Sequence, residues 1–221
     1  MKQFDFSYLG DKRYLNFRNM FFLFMIGSVV GTIGEGIWSA LFCGGWETHV
    51  ICMWGPFCII YGIGMVCFYM MNVLLAKKSI FIKYLLGVFV GTFVELVSGL
   101  VLEFGMGMRA WNYSHKFLNF RGHICLQMSL LWGVAGVAFI LLIKPLNKMF
   151  AKLNNKFWNI LCIVLTIFMT INLSLTVVAM ERWKCRHEEI EAKTSFGRYI
   201  DKTYDDEFMQ NRFIEWHWMD K

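Results

Sequence analysis

Hydrophobic positions along this chain fall into long runs rather than into narrow stripes. Five stretches are apolar almost throughout: residues 20–42, 52–75, 80–104, 124–143 and 157–180. Each is close to the ~20 residues that a helix needs to cross about 30 Å of hydrocarbon. A helix also satisfies its own backbone hydrogen bonds in lipid. The pattern therefore predicts an all-α, polytopic membrane helical bundle with about five transmembrane helices.

The polar segments divide the chain into three predicted parts. Residues 1–19 form an N-terminal arm, residues 20–180 a transmembrane domain, and residues 181–221 a charged, amphipathic C-terminal tail. Apolar residues four apart in the tail predict a helix with one apolar face; they are Phe196, Ile200, Tyr204 and Phe208. Such a helix would lie on the membrane or pack against a partner. A solvated tail with no specific role is the alternative.

Composition narrows the class of protein. The chain has 221 residues, of which 57% are hydrophobic and 17% charged, and its mean hydropathy is +0.47. Soluble domains have about 25% charged residues. A disordered chain, a collagen-like chain and a typical cytosolic enzyme are therefore excluded. The formal net charge of +6 combines +8 in residues 1–180 with −2 in the tail. The basic body favours anionic membrane lipids as partners and, without a recognition motif, not nucleic acid.

Lys and Arg predict the orientation. They are frequent in the N-terminal arm and after the second and fourth apolar stretches, whereas the first and third loops hold only Arg109, Lys116 and Arg121. The positive-inside rule then places the N-terminus in the cytoplasm. Five spans put the tail outside. Basic residues next to the membrane, at 182–186, weigh against that side, and a re-entrant segment would reverse it.

An internal repeat is the strongest pattern in the sequence. The motif Gly-x-x-x-Gly-Thr-x-x-Glu occurs at residues 27–35 and again at residues 87–95. After each copy come Ile-Cys and Trp-Gly, at residues 51–55 and 124–133. Stretches one and two thus look like a copy of stretches three and four. This predicts a parallel repeat whose pseudo-twofold axis runs along the membrane normal.

Two glutamates within this repeat are the main candidate site. Glu35 and Glu95 share a helix face with glycines that allow close helix packing, so they should face protein rather than lipid. An ionised carboxylate at mid-membrane costs roughly 2.5–3.5 kcal/mol on insertion scales. A proton, cation or polar-substrate site near the pseudo-axis is the functional interpretation, with Thr32 and Thr92 on the same turns. The structural alternative is a carboxylate that a neighbouring Tyr, Thr, Trp or Arg holds in place to fix the packing.

The third loop supplies further candidates. Residues 105–123 mix aromatic, amide and cationic side chains, which at a membrane edge usually form an aromatic belt. The functional interpretation is a cap over the carboxylates in which Arg109 or Arg121 is the counter-ion of Glu95 or Glu103. For Glu103, near the end of its stretch, an interfacial pair with Arg109 is favoured. Trp111 and Asn112 are the other candidates in this loop.

The start of the second stretch resembles this loop in kind. Pro56 and nearby glycines open or kink the helix in residues 54–62, and the freed backbone groups, with Tyr61, would line a site.

Enzymatic chemistry finds little support. The seven cysteines are scattered without a CxxC pair, and a disulfide between Cys43 and Cys52 at the outer face is disfavoured. The histidines show no zinc signature, so no metal and no cofactor are predicted. An intramembrane hydrolase is the least favoured class, since Ser114 and His115 stand in no catalytic motif.

Several short motifs resemble one known family. They are Gly55-Pro56-x-Cys58-x-Ile60-Tyr61-Gly62, Thr92-x-x-Glu95, Trp111-Asn112-Tyr113-Ser114 with Asn119 and Gly122, Ile124-Cys125-Leu126, and Trp132-Gly133. Over about residues 21–145 the chain resembles the bacterial family named Putative ABC-transporter type IV (CmpB-like). That family's pattern has Asp and Arg at two positions where this chain has Asn112 and His123.

The resemblance implies a permease-like protein of the bacterial inner membrane. The chain has no GxxxxGK[ST] loop, so an ABC-type component would need a separate ATP-binding subunit. A short five-span chain would also need a homodimer or a partner to enclose a pathway. The alternative is a non-transporting membrane protein that binds or regulates a partner, with structural carboxylates and the tail as its docking surface.

Overall fold

The computed structural model describes residues 7–42, 44–46 and 50–219, and the protein is 71% helical. Two short 3₁₀ turns, Ser7–Gly10 and Lys12–Tyr14, precede the helices. These are α1 (Phe17–Phe42), α2 (Ile59–Leu74), α3 (Ile80–Val101), α4 (Leu126–Ala138), α5 (Ile140–Lys152), α6 (Lys156–His187), α7 (Ser195–Thr203) and α8 (Asp206–Arg212). Strands β1 (Met108–Arg109) and β2 (His217–Trp218) form one antiparallel pair.

The predicted all-α membrane bundle is confirmed. Three helices are long and apolar enough to span a membrane, namely α1, α6, and α3 with the π-helical turn Leu102–Met106 that continues it. Helices α4 and α5 together qualify as a fourth span, bent by 49°. Helix α2 is apolar but has only 16 residues. The described residues therefore hold three to four candidate spans rather than five, and the shortfall lies in the second predicted stretch.

The second stretch is short because its first residues are not helical. Instead of forming helix, this backbone bonds to polar side chains of α6. Met53 N–H donates to Thr176 Oγ1 over 2.9 Å. The Asn172 amide accepts from Trp54 N–H (3.0 Å) and donates to Trp54 C=O (2.9 Å). Non-helical backbone is tolerated at membrane depth when protein groups satisfy it in this way.

Glycines set the packing of α1 on α2 and of α3 on α4. A Cβ on Gly31 would overlap the Tyr61 ring, and one on Gly91 would overlap the Trp132 ring. The two glycine motifs thus face aromatic residues of their partner helices. Trp54, by contrast, lies before α2, so Tyr61 rather than Trp54 occupies the place that Trp132 has in the other pair. The duplication itself stays a prediction.

Buried amides join the two helix pairs. Asn72 of α2 is fully buried and donates to Gly136 C=O of α4 at 2.9 Å. Tyr69 of α2 donates to Asn147 of α5 at 2.6 Å. Each bond satisfies a polar group within the apolar core, where an unpaired one would be costly. These bonds connect α2 to α4 and to α5, so the two helix pairs and α5 pack as one bundle.

The tail is folded onto the bundle. The boundary predicted at residue 180 falls inside α6, which continues to His187. Beyond it, α7, α8 and β2 bury Ile200, Met209 and Phe213 against a cluster that includes Met108 and Trp183. In the predicted apolar stripe, Phe196 and Phe208 are exposed. Ile200 of the stripe is buried, so the stripe forms the buried face only in part, because the helix breaks between α7 and α8.

The N-terminal segment and the tail lie at opposite ends of α6. Residues 1–6 of the predicted arm fall outside the described residues. Arg18 bonds Asn159 in the first turn of α6 at 2.6 Å. Arg182, near its other end, bonds Asp201 of α7, also at 2.6 Å. Thirty-two helical residues span about 48 Å, so these two contacts lie far apart along α6.

Candidate functional site

A cavity of about 300 Å³ lies between the two helix pairs. Helix α1 contributes Glu35 and α3 contributes Glu95, so the two carboxylates reach one space. The rest of the lining is mainly aromatic, with one serine and a few apolar side chains: Trp38, Ser39, Cys58, Ile60, Tyr61, Trp111, Tyr113, Met128 and Trp132. The sequence predicts that both carboxylates lie near the pseudo-axis, and here they border one cavity.

Glu95 is buried and held by two aromatic donors. Its side chain is only 6% exposed. Tyr113 O–H donates to one carboxylate oxygen and Trp132 Nε1–H to the other, each at 3.1 Å. Both donors are neutral, and no Lys or Arg of the described chain forms an ion pair with Glu95. Hydrogen bonds alone, and no ion pair, therefore hold this carboxyl group in place.

Glu35 is half-buried and has a similar partner. Tyr61 O–H, in the first turn of α2, donates to its carboxylate at 2.5 Å. The tyrosine ring reaches this position because Gly31 leaves room for it on α1. Each carboxylate is thus bonded to an aromatic residue of the helix paired with its own.

Ser39 is a site residue that the sequence analysis missed. It lies four residues after Glu35 on α1, hence on the same face. Its side chain is 4% exposed, and its hydroxyl has no hydrogen-bond partner among the described residues. A buried polar group without a partner is uncommon in proteins. The i+4 spacing from Glu35 was the signal that could have found it.

Trp132 is the second residue that was missed as a site residue. It was noted only as part of a repeated Trp-Gly motif. Its indole N–H bonds Glu95, and its ring packs over Gly91. The position of Trp132 in the sequence does not indicate a site residue. Only the packing of α3 on α4 brings its indole N–H to Glu95.

The predicted site residues separate into two groups. Glu35, Tyr61, Glu95 and Trp111 line the cavity; Thr32, Thr92, Arg109, Asn112 and Arg121 do not. The Thr32 hydroxyl donates to Ser28 C=O of its own helix at 2.9 Å. The Thr92 hydroxyl is buried without a hydrogen-bond partner among the described residues. Asn112 is exposed and accepts from Ser114 N–H at 2.9 Å.

The two arginines belong to an ion cluster around Glu103. Arg121 and His123 bond the Glu103 carboxylate directly, and Arg109 lies 3.6 Å from it. Arg109 and Arg121 are therefore counter-ions of Glu103, as the interfacial interpretation expects, and not of Glu95. His123 is part of this cluster.

The cluster fixes Trp111 at the cavity. Trp111 Nε1–H donates to His123 C=O at 2.8 Å, and Tyr113 N–H donates to Gly122 C=O at 2.8 Å. A larger recess of about 850 Å³, lined by tail residues that include Trp218, shares Trp111 with the inner cavity. The third loop thus contributes to the cavity wall, with one aromatic side chain between the inner space and the recess under the tail.

Metal chemistry has no support in the part of the chain that is described. No three His, Cys, Asp or Glu side chains lie close enough there to hold an ion. Cys43, the predicted candidate partner of Cys52, lies outside the described residues.

These features define a multi-pass α-helical membrane protein with two carboxylates at one cavity between its helix pairs. The family model Putative ABC-transporter type IV matches residues 22–177, which is more than half of the chain. The chain belongs to this family, and the resemblance in its motifs is confirmed. The match covers the helices that form the cavity and ends before the tail. Neither curated proteins nor solved structures gave a significant match.

Proposed function

We propose that this protein is the permease-like membrane component of a transporter, with the cavity between Glu35 and Glu95 as its substrate site. One observation carries the proposal: two carboxylates from different helix pairs border one cavity. Acidic residues in transmembrane helices are costly and typically mark substrate or ion pathways. Family membership supports a role in transport.

The neighbouring residues support the site without lining it. Thr32 and Thr92 pack at the helix interfaces next to the glutamates. Arg109 and Arg121 hold Glu103, and through His123 this cluster positions Trp111. Asn112 shapes the turn that leads to Tyr113. In this proposal Trp111 is the side chain that a substrate passes, since it borders both the cavity and the recess under the tail.

We place the protein in the bacterial inner membrane with its N-terminus in the cytoplasm. Before residue 181, the Lys and Arg residues concentrate in the N-terminal arm and after the second and fourth apolar stretches, which the positive-inside rule associates with the cytoplasmic side. ATP hydrolysis would come from a separate subunit, because the sequence has no phosphate-binding loop. The protein itself is not proposed to be an enzyme. A homodimer, or that partner, would complete the pathway.

The test is purification of the tagged full-length protein from its own cells in a mild detergent, with mass spectrometry of the complex. A stoichiometric ATP-binding subunit whose ATPase activity co-elutes with the chain is expected. A parallel preparation of the Glu35→Gln, Glu95→Gln double variant should assemble equally well but lose substrate uptake in reconstituted vesicles. A chain that elutes alone or only as a homodimer overturns the ATP-driven proposal and favours a partner-binding role for the tail.

A further inference from the structure

We propose that the cavity binds a small organic ammonium cation, either free or as a lipid headgroup. This inference rests on the proposed substrate site and names its ligand class. Its support comes from the charge, the aromatic lining, the unpartnered hydroxyl and the size of the cavity.

Charge selects a cation. Two carboxylates border the cavity, and the described lining contains no Lys, Arg or His. The donors on Glu95, Tyr113 and Trp132, are neutral, so they bring no positive charge to its carboxyl group. An anionic substrate would approach Glu95 without a positive partner among the described lining residues, whereas a monovalent cation would pair with its carboxylate.

The aromatic lining selects an organic cation over a metal ion. Five of the lining residues are Trp or Tyr, from α1, α2, α4 and the third loop. Ammonium groups are attracted to aromatic faces, and aromatic cages are the usual recognition device for quaternary ammonium. A metal ion would instead need several oxygen ligands within bonding distance. The described residues provide no group of three or more His, Cys, Asp or Glu side chains for that purpose.

Ser39 indicates that the same ligand carries a polar group. Its hydroxyl is buried at the cavity and has no partner in the described part of the protein. Glu35 lies one helical turn away. A ligand with a hydroxyl or carbonyl oxygen near its ammonium group could bond the Ser39 hydroxyl through that oxygen. Its ammonium group would at the same time approach a carboxylate. The cavity volume, about 300 Å³, is at the lower end of small-molecule sites, which limits the bound group to a few heavy atoms.

Choline and its uncharged isostere, 3,3-dimethylbutan-1-ol, form a matched pair of probes. We would titrate each into the full-length protein in phosphatidylglycerol nanodiscs, which carry no ammonium headgroup, and follow heat and tryptophan fluorescence. Choline should bind at least about tenfold more tightly than the isostere. Repeating the titration in phosphatidylcholine nanodiscs distinguishes the sources, since weaker choline binding there identifies the lipid headgroup as a competing ligand.

Variants tie the binding to the cavity. The Glu35→Gln, Glu95→Gln double variant should weaken choline binding at least about tenfold and leave binding of the isostere unchanged. Trp38→Leu is a second test that does not endanger folding, because Trp38 is 62% exposed. It should weaken choline binding severalfold. Glu207→Gln, on the exposed surface of α8, is the matched control and should change nothing.

The outcomes separate this inference from the proposed function. Equal binding of choline and the isostere, or choline binding that none of the cavity variants weakens, overturns the ammonium inference. So does an absence of choline binding in a preparation that retains its ATP-binding subunit, and the transport proposal then survives. Selective choline binding by a chain without that subunit supports the inference while the ATP-driven proposal falls.

Discussion

The α1–α2 pair and the α3–α4 pair carry the same glycine–glutamate motif but are completed by different parts of the chain. In the first pair the segment before α2 is irregular and depends on Asn172 and Thr176 of α6. Arg212 of the tail also donates to Cys52 C=O, at 2.6 Å. In the second pair the third loop folds on itself and contributes Tyr113 to the site. Glu95 is accordingly more buried than Glu35.

The contacts between the paired helices also differ, and those of the α3–α4 pair are closer. In the second pair a Cβ on Gly87 would lie 3.2 Å from Gly133 Cα, so the two backbones are nearly in contact. In the first pair a Cβ on Gly27 would meet the flexible Met65 side chain, at 2.8 Å from its sulfur. A shared motif thus fixes where two helices approach, while the residues opposite decide how rigid the contact is.

Removing the support of α6 should have the largest effect. Asn172→Leu leaves the N–H and C=O of Trp54 without their partner, and each unpaired group costs about 1–3 kcal/mol. We expect the free energy of unfolding to fall by about 2–4 kcal/mol, measured by SDS titration in mixed micelles. Thr166→Val is the matched control, because the Thr166 hydroxyl bonds only Cys162 C=O within α6. Equal stability of the two variants would show that the segment before α2 does not depend on α6.

Adding one methyl group to each glycine motif tests the difference in rigidity. Gly87→Ala should cost about 1–2 kcal/mol, because backbone atoms cannot yield. Gly27→Ala should cost less, since another Met65 rotamer moves its sulfur and Cγ away and leaves only its Cβ, at 3.0 Å, close to the new methyl group. Gly64→Ala in α2 faces open space and should be neutral or stabilise by up to about 1 kcal/mol. The same SDS titration measures all three, and an equal cost at Gly27 and Gly87 would contradict the comparison.

The smallest expected effect is on the docking of the tail, which contacts the segment before α2 through Arg212. Arg182 donates a hydrogen bond to Asp201 and holds the pKa of that carboxyl below its ordinary value of 3.8. A carboxyl with a lowered pKa stabilises the folded form above the unfolded pKa and loses this contribution as the pH falls through the folded value. Docking of α7 should therefore be intact above about pH 4 and weaken below it.

Hydrogen exchange of the α7 amides measures this docking. Their protection, corrected for the intrinsic pH dependence of exchange, should fall a few-fold between pH 5 and pH 3. In Asp201→Asn it should be lower already at pH 5 and change little with pH. Glu207→Gln should behave like the unaltered protein. A tail whose protection does not change with pH in the unaltered protein would show that Asp201 does not contribute to docking.

Sequence reasoning predicted the membrane bundle well and the site in part. Apolar runs predict spans because lipid requires helices of a fixed length. The prediction of a helix failed at the residues before α2. Nothing in the local sequence indicates that their irregular backbone bonds to Asn172 and Thr176, more than a hundred residues later. The glutamates were found because charge in an apolar run is conspicuous. Ser39 and Trp132 were missed because neither residue type is unusual in a membrane helix.

The sequence by itself determined the class of protein, its family and the two helix faces that carry Glu35 and Glu95. These follow from hydrophobicity, spacing and local motifs, which act over one or two turns of chain. Only the tertiary structure decided that both carboxylates border one aromatic cavity, that the arginines belong to Glu103, and that the tail folds onto the third loop. Those outcomes depend on contacts between distant segments, and such contacts arise only when the packing of the whole bundle brings the segments together.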